Sequence, residues 1–367
     1  MRADPDVSGT RLLDKEVRTS SPGRVLVFRV LVLLATLLLA APLPRALAED
    51  AKASEPGPWN YSGTLGVNAA QSAFSDDWKG GDKGAIVWVV NSNFTMQRQF
   101  SASYNLSNSL KLAYGQTSRQ VQDPANPDER TWDRPLKSTD AIAFESLSRW
   151  TLRQLADPFF SFSAESQFRD QSSPLGAIWL NPAKLKETAG VARILEKTEA
   201  SEVLTRFGFG LRQTIATSFI NPPTNEKGSF TSNDVGIDWT TTAKKPLLAK
   251  RVLYKGTLAF FKPLLYSKSG ALDAYDADRL ATDPSHEAVA DYWKSVDVNW
   301  ENAFTGQITK ALSVSLAAQL VYDKFDTAAN LTIPVPDPAL DTEIRRNIRK
   351  QGQFREALSL GITYQLF

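Results

Sequence analysis

The chain of 367 residues has no cysteine and a single histidine, His286. Without cysteine there is no disulfide, no thiolate metal site and no thiol nucleophile. Charge of one sign is also missing: 42 Lys and Arg stand against 40 Asp and Glu, a net of +2. Nucleic-acid binding calls for a basic excess or a basic stripe, so this balance argues against such a partner. Long apolar runs are scarce as well. Past residue 48 no stretch approaches the roughly 20 apolar residues that a membrane helix requires.

The apolar run that does exist lies near the start. Arg24 and Arg29 precede a short apolar stretch over 30–40, followed by Pro42, Pro44 and the triplet Ala46-Leu47-Ala48. A positive flank, a short apolar segment and an A-x-A site together predict a removable secretory signal. Residues 1–48 are therefore read as a signal peptide with an N-terminal extension, and 49–367 as the exported chain. Lacking disulfides, that chain needs another source of stability, and a closed ladder of backbone hydrogen bonds is one.

Beyond residue 49 the dominant pattern is a period of two. Leu312, Val314, Leu316, Ala318, Leu320 and Tyr322 alternate with Ala311, Ser313, Ser315, Ala317 and Gln319. Leu106, Leu110, Leu112 and Tyr114 alternate with Asn105, Ser107, Ser109, Lys111 and Ala113, and Leu358, Leu360, Ile362, Tyr364 and Leu366 with Ala357, Ser359, Gly361, Thr363 and Gln365. These runs are about ten residues long, the span of a tilted transmembrane strand, where strands of soluble sandwiches usually have about five or six.

Strands are predicted near 59–70, 85–99, 104–118, 138–150, 158–169, 184–196, 202–216, 231–242, 250–263, 291–304, 309–324 and 353–367. The fold class is thus all-β: a transmembrane antiparallel up-and-down barrel of about 12 strands. Ten or fourteen are the alternatives, because alternation is poor over 138–150 and 184–196. Short links (100–103, 151–157, 197–201, 243–249, 305–308) alternate with long ones (71–84, 119–137, 170–183, 217–230, 264–290, 325–352), as expected for periplasmic turns and outer loops. The long segments hold breakers such as Pro124, Pro127, Pro135, Pro222, Pro223, Pro334, Pro336 and Pro338. Trp59, Tyr61, Tyr114, Trp150, Trp300, Phe304, Tyr322 and Tyr364 fall at or near predicted strand ends, where Trp and Tyr form membrane girdles.

The polar faces belong inside, since Arg or Lys facing lipid at the midplane costs about 2–4 kcal/mol. This places Arg206, Arg212, Arg169 and Lys111 in the lumen with Asp234, Asp238, Asp297, Glu301 and Glu165; Ser295 and Gln167 share those faces. Mixed signs favour a narrow or side-chain-filled interior over an open pore.

Catalysis would have to use His286, within Asp283-Pro284-Ser285-His286-Glu287 on an outer loop; a solvated loop histidine is the favoured reading, and no enzymatic role is expected. Asp273, Asp276 and Asp278 lack the glycine and terminal glutamate of a calcium loop and read as a solvated acidic loop. Gly80-Gly81 reads as a turn, not a phosphate loop. Neither metal nor cofactor is expected. Arg345, Arg346, Arg349 and Lys350, just before the last strand, form a candidate rim contact for lipopolysaccharide phosphates.

Several short motifs share an order with a known family. Trp78-Lys79-Gly80-Gly81 followed by Asn91-Ser92-Asn93-Phe94, then Leu106-Ser107-Asn108-Ser109-Leu110 with Tyr114-Gly115, Lys137-Ser138-Thr139-Asp140, Val298-Asn299-Trp300-Glu301 and Val321-Tyr322-Asp323 resemble the outer-membrane family named domain of unknown function 3078. The likeness runs through nearly the whole chain after the signal. It implies a Gram-negative outer-membrane barrel without an assigned activity, and supplies no catalytic residues. Its partners would be outer-membrane lipid and the barrel-assembly machinery, which reads a terminal aromatic. Phe367, however, shares the inner face with Thr363 and Gln365, whereas Tyr364 shares the lipid face, so the strand bulges or the insertion mark is shifted. The functional expectation is porin-like: a narrow passive or substrate-limited channel, with an outer-leaflet lipid-modifying enzyme or a closed structural barrel as alternatives.

Overall fold

The computed structural model describes residues 55–366, apart from 73–83, 124, 126–128, 153–155, 199, 221–224 and 310. The signal peptide over 1–48, the Trp78-Lys79-Gly80-Gly81 motif and Phe367 lie outside the described residues. Twelve long antiparallel strands make a ring: β1 (Asn60–Ser72), β2 (Ala85–Ser101), β3 (Tyr104–Gln122), β5 (Leu136–Trp150), β6 (Asp157–Ser166), β9 (Ala183–Lys197), β10 (Glu202–Phe219), β11 (Lys227–Leu247), β12 (Val252–Tyr266), β13 (Asp297–Gln307), β14 (Leu312–Tyr322) and β15 (Gln353–Gln365). The ring is closed by β1 on β15, with Leu65 opposite Tyr364 and Val67 opposite Ile362. Closure leaves no sheet edge, which is what lets strands cross lipid. Three short strands sit outside it: β4 (Arg130–Trp132) extends β3, and β7 (Arg169–Ser173) with β8 (Gly176–Trp179) forms a separate hairpin.

Every predicted strand is present, including the two with poor alternation. Two boundaries differ with consequence. The strand predicted from 291 starts at Asp297, because Tyr292–Lys294 form a 3-10 turn, and Ser295 therefore lies off the strand. The strand predicted to 169 stops at Ser166, so Gln167 leaves the wall and Arg169 pairs with Trp179 in the hairpin. Two of the long connections also contain helices: α1 (Ser269–Thr282) between β12 and β13, and α2 (Pro338–Asn347) between β14 and β15. In α2 the Asp337 side chain accepts from the Ala339 amide at 2.7 Å and Pro338 stands at the first helical position, a favourable start.

The outward face is apolar and uncovered. Phe209 is 64% exposed, Leu358 75% and Tyr364 66%, and their strand neighbours Phe207, Leu360 and Ile362 are exposed too. Glu187 is a charged exception on this face, opposite Leu211 and Phe162. Aromatic rings mark two levels. At the short-turn end Trp59, Phe100, Tyr104 and Trp150 touch in series at 5.5, 5.6 and 5.4 Å, and Tyr254 meets Phe304 at 5.0 Å. At the long-loop end Trp88 and Phe168 flank Tyr114 at 6.0 and 6.3 Å. The ten residues from Tyr104 to Tyr114 rise about 33 Å along the strand. At a tilt of roughly 40° that is about 25 Å of height, the expected apolar band. Trp300 is not part of a girdle: it is the fourth residue of β13, well inside the strand.

Candidate functional site in the barrel lumen

Inner and outer faces follow from the register, since side chains at paired positions share a face. On β10, Arg206, Gly208, Gly210 and Arg212 alternate with the exposed Phe207, Phe209 and Leu211. Their partners on β11 are Thr240, Asp238, Gly236 and Asp234. Inward charges on this wall meet opposite charges in layers. Arg212 Nε lies 3.0 Å from both carboxylate oxygens of Asp234, and its Nη1 lies 2.8 Å from Asp297 Oδ2. Asp297 is on β13, three strands round the ring from β10. The guanidinium also sits 3.7 Å from the Phe261 ring centre. That ring lies over Gly210 and Gly236, where a Cβ would come within 3.1 and 2.9 Å of it. Glycine at these positions is therefore a space requirement.

One layer towards the short turns, Lys186 is ion-paired with Asp238, which also accepts from Thr240 Oγ1 at 3.1 Å. Further on, Arg206 Nη1 donates to Glu145 Oε1 at 2.6 Å. Those residues sit on β10 and β5, which are not neighbours. Below this pair Phe159, Ala192 and Leu204 pack with Leu147 and Ile194. Glu301 accepts from Asn299 Nδ2 at 3.3 Å and Gln319 Nε2 at 3.2 Å. Pairing is what makes such charges tolerable where burial removes water.

The other wall is different. On β2, β3 and β15 the inward Asn93, Thr95, Lys111 and Arg355 are all exposed. The interior is thus filled on the β9–β13 side around the Arg206, Asp238 and Arg212 layers, although Lys244 and Lys255 nearer the short turns stay exposed, and accessible on the β15–β3 side.

The long-loop end carries a plug. The connections bearing α1 and α2 share a core in which Leu272, Tyr275, Val289 and Trp293 meet Phe325, Leu331, Leu340 and Ile344. From that core the segment 323–327 turns inward, across the ring from β14. Lys184 Nζ is 3.4 Å from Asp326 Oδ1, the Thr214 and Thr327 hydroxyls are 3.1 Å apart, and Ser232 Oγ donates to the Thr327 carbonyl at 2.6 Å. Asp323, just past the end of β14, is pushed up to about 7 by burial, then by the charges of Asp297 and Asp326.

His286 and Asp276 are not solvated as the sequence suggested. His286 Nε2 lies 2.9 Å from Asp276 Oδ1, and the other oxygen of Asp276 accepts from the Val289 and Ala290 amides at 2.8 and 2.7 Å. Asp276 lies on the buried face of α1 and fastens the following loop back onto it. Ser285 Oγ is turned to Asp283. The four rim cations are spread along and beyond α2. Arg345 Nε pairs with Asp341 at 2.9 Å, Arg349 donates to the Arg346 carbonyl, and Lys350 faces Glu287 at 3.4 Å. Arg346 is exposed on the helix.

Comparison with known proteins reaches no activity. The translocator domain of autotransporter NalP from Neisseria meningitidis is 7% identical, with 93% of this chain and 97% of that one covered at a TM-score of 0.34. An outer membrane channel from Pseudomonas putida F1 is 10% identical over 86% and 97%, also at 0.34. The beta domain of the Bordetella autotransporter BrkA is 9% identical over 85% and 99%, at 0.28. Likenesses this loose carry no argument about function. No curated protein matches the chain. The family model described as protein of unknown function (DUF3078) matches residues 69–171; this is the family that the motifs resemble, over a shorter span than their order implied, with Val298-Asn299-Trp300-Glu301 and Val321-Tyr322-Asp323 beyond it.

Proposed function

We propose that this chain is an outer-membrane barrel offering a narrow aqueous path along its β15–β3 wall, with the outer mouth constricted by the α1–α2 plug. The observation that carries this is the asymmetry of the lumen: Asn93, Thr95, Lys111 and Arg355 stay exposed inside a ring whose opposite wall is filled. An outward apolar face of this extent supports a lipid setting, because soluble monomers rarely expose contiguous apolar patches above a few hundred Å². The short turns would then face the periplasm and the plug the exterior. Purified protein in planar bilayers should give small, discrete conductance steps. Silence across voltage and salt would favour a closed structural barrel instead.

The lipid-modifying alternative gains little from His286, whose Nε2 is committed to a buried aspartate while the neighbouring Ser285 Oγ is turned to Asp283. A clasp within the plug is the reading we adopt. His286→Ala should leave outer-leaflet lipid composition unchanged while making the 267–296 segment more sensitive to added protease. A changed lipid profile would restore the enzyme reading.

A further inference from the structure

The ladder between β11 and β12 is irregular at its long-loop end. Val235 pairs with Leu265 and Gly236 with Pro263, so Leu264 between them has no partner in the ladder. Leu264 and Leu265 are both exposed, at 48 and 66%. β13 gives no cover there, because its first residue Asp297 pairs with Phe261 and the 3-10 turn Tyr292–Lys294 precedes it. The result is an open groove of about 510 Å³, lined by Val235, Leu264, Leu265 and Trp293, with Asn233 and Lys294 in its polar lining. That volume is ample for part of a ligand. Val235 and Leu265 share the outward face with Ile237, so the groove continues the lipid-facing band and not the lumen.

Two cations border this groove. Lys262 is the ladder partner of Ile237 on the outward face, and its Nζ donates to the Lys294 carbonyl. Among the described residues Lys262 forms no ion pair, and Glu187, an acid of the same face, stands three strands away on β9. A lysine turned to lipid is costly, and an anion beside it lowers that cost. Lys294 Nζ lies 2.5 Å from Asp291 Oδ1 and 5.5 Å from the centre of the Trp293 ring. Both side chains of that pair are exposed, so it is screened and weakly held, and an incoming anion replaces Asp291 at little cost. Asn233 adds a third demand. Its side-chain oxygen is buried without a donor, and a ligand N–H or O–H would satisfy it.

Apolar walls open to the bilayer call for an acyl chain, and the cations at their edge for phosphate. We propose that this groove binds a phosphorylated, acylated glycolipid of the outer leaflet, its chain along Leu264 and Leu265 and its phosphate at Lys262 and Lys294. The inference rests on the membrane setting proposed above, with the long loops outside, and needs no conduction. The site is separate from Arg345, Arg346, Arg349 and Lys350, which belong to the connection bearing α2.

The test uses the full chain folded in detergent, with bisphosphorylated, hexa-acylated lipid A as the probe and native mass spectrometry as the readout. Wild type should retain this lipid and prefer it to its dephosphorylated form. K262Q/K294Q should bind it about ten-fold more weakly, as expected from losing one charge-assisted hydrogen bond, and should lose the preference. L264N/L265N should weaken both forms of the lipid several-fold, because the chain loses its apolar wall. Equal retention by wild type and K262Q/K294Q overturns the proposal. So does a loss that appears only when Arg345, Arg346, Arg349 and Lys350 are all changed to Gln. Should L264N/L265N fail to show heat-modifiable migration, the phosphate preference of K262Q/K294Q decides. Planar bilayers separate this inference from the channel reading. Silence there with lysine-dependent lipid retention sinks the channel and supports the site, and conductance with lysine-independent retention does the reverse.

Discussion

Arg212→Met is expected to destabilise the barrel by about 3–5 kcal/mol, the usual cost of removing one partner of a buried ion pair. Two carboxylates depend on this guanidinium: Asp234, whose side chain is 3% exposed, and Asp297, at 15%. Met fills much of the volume and keeps contact with Phe261, so the loss reports charge more than packing. The measurement is the urea midpoint of heat-modifiable migration in liposomes. Adding Asp234→Asn and Asp297→Asn should recover a large part of the loss, because neutral amides need no counter-charge; that recovery is the coupling a mutant cycle isolates. Arg345→Met is the contrast. Its pair with Asp341 has the arginine side chain 72% exposed, and screened surface pairs of this kind are worth about 0–1 kcal/mol. If Arg212→Met costs no more than Arg345→Met, the Arg212 layer is not the buried hub described.

The barrel could be read from the residues because its physics is local. A strand with lipid on one side and lumen on the other must alternate, and Leu358 to Tyr364 does so without interruption. The inward place of Arg206, Arg212, Asp234 and Asp238 follows from the same parity. Which groups they pair with does not, since Glu145, Lys186 and Asp297 are brought in from other strands. Two of the strands involved, β5 and β9, were those with poor alternation. On β9 the outer face itself includes Glu187, which breaks the contrast that reveals a strand. Phe261 was hidden for another reason. The ladder between β11 and β12 shifts between Val235 and Gly236, so Phe260 stacks outside on Trp239 while Phe261 turns inward. The helices of the plug were masked by their own start signals, as Pro334, Pro336 and Pro338 read as breakers although Pro338 opens α2 behind the Asp337 cap. His286 looked solvated because its partner Asp276 is ten residues away, a pairing that only the fold of the loop reveals.

Removing the plug should have the largest effect on conduction. Replacing 324–349 by a short Gly-Ser linker deletes Asp326, Thr327 and α2 but no residue of the twelve-strand ladder. The barrel should still assemble, because its strands are joined by their own hydrogen bonds and α2 packs on the other loop instead. Lys184, Thr214 and Ser232 would lose their plug partners, and single-channel conductance should rise several-fold, on the order expected when a constriction in series with a wider lumen is removed. Unchanged conductance in a folded variant would show that the constriction lies elsewhere. The intact plug should also respond to pH, and the sign follows from Asp323. Its value is about 7 when the plug is seated, against an ordinary 3.8, so seating takes up a proton. That contribution is full below about 4 and is lost as pH rises towards and through 7. The groups facing Asp323 are Asp297 and Asp326, which raise it, and Lys184 and Arg212, which restrain it. Conductance of the wild type should therefore grow between pH 5 and about 8, and Asp323→Asn, neutral throughout, should flatten that rise. A wild-type conductance that falls over this range, or a rise that persists in Asp323→Asn, would remove Asp323 from control of the plug.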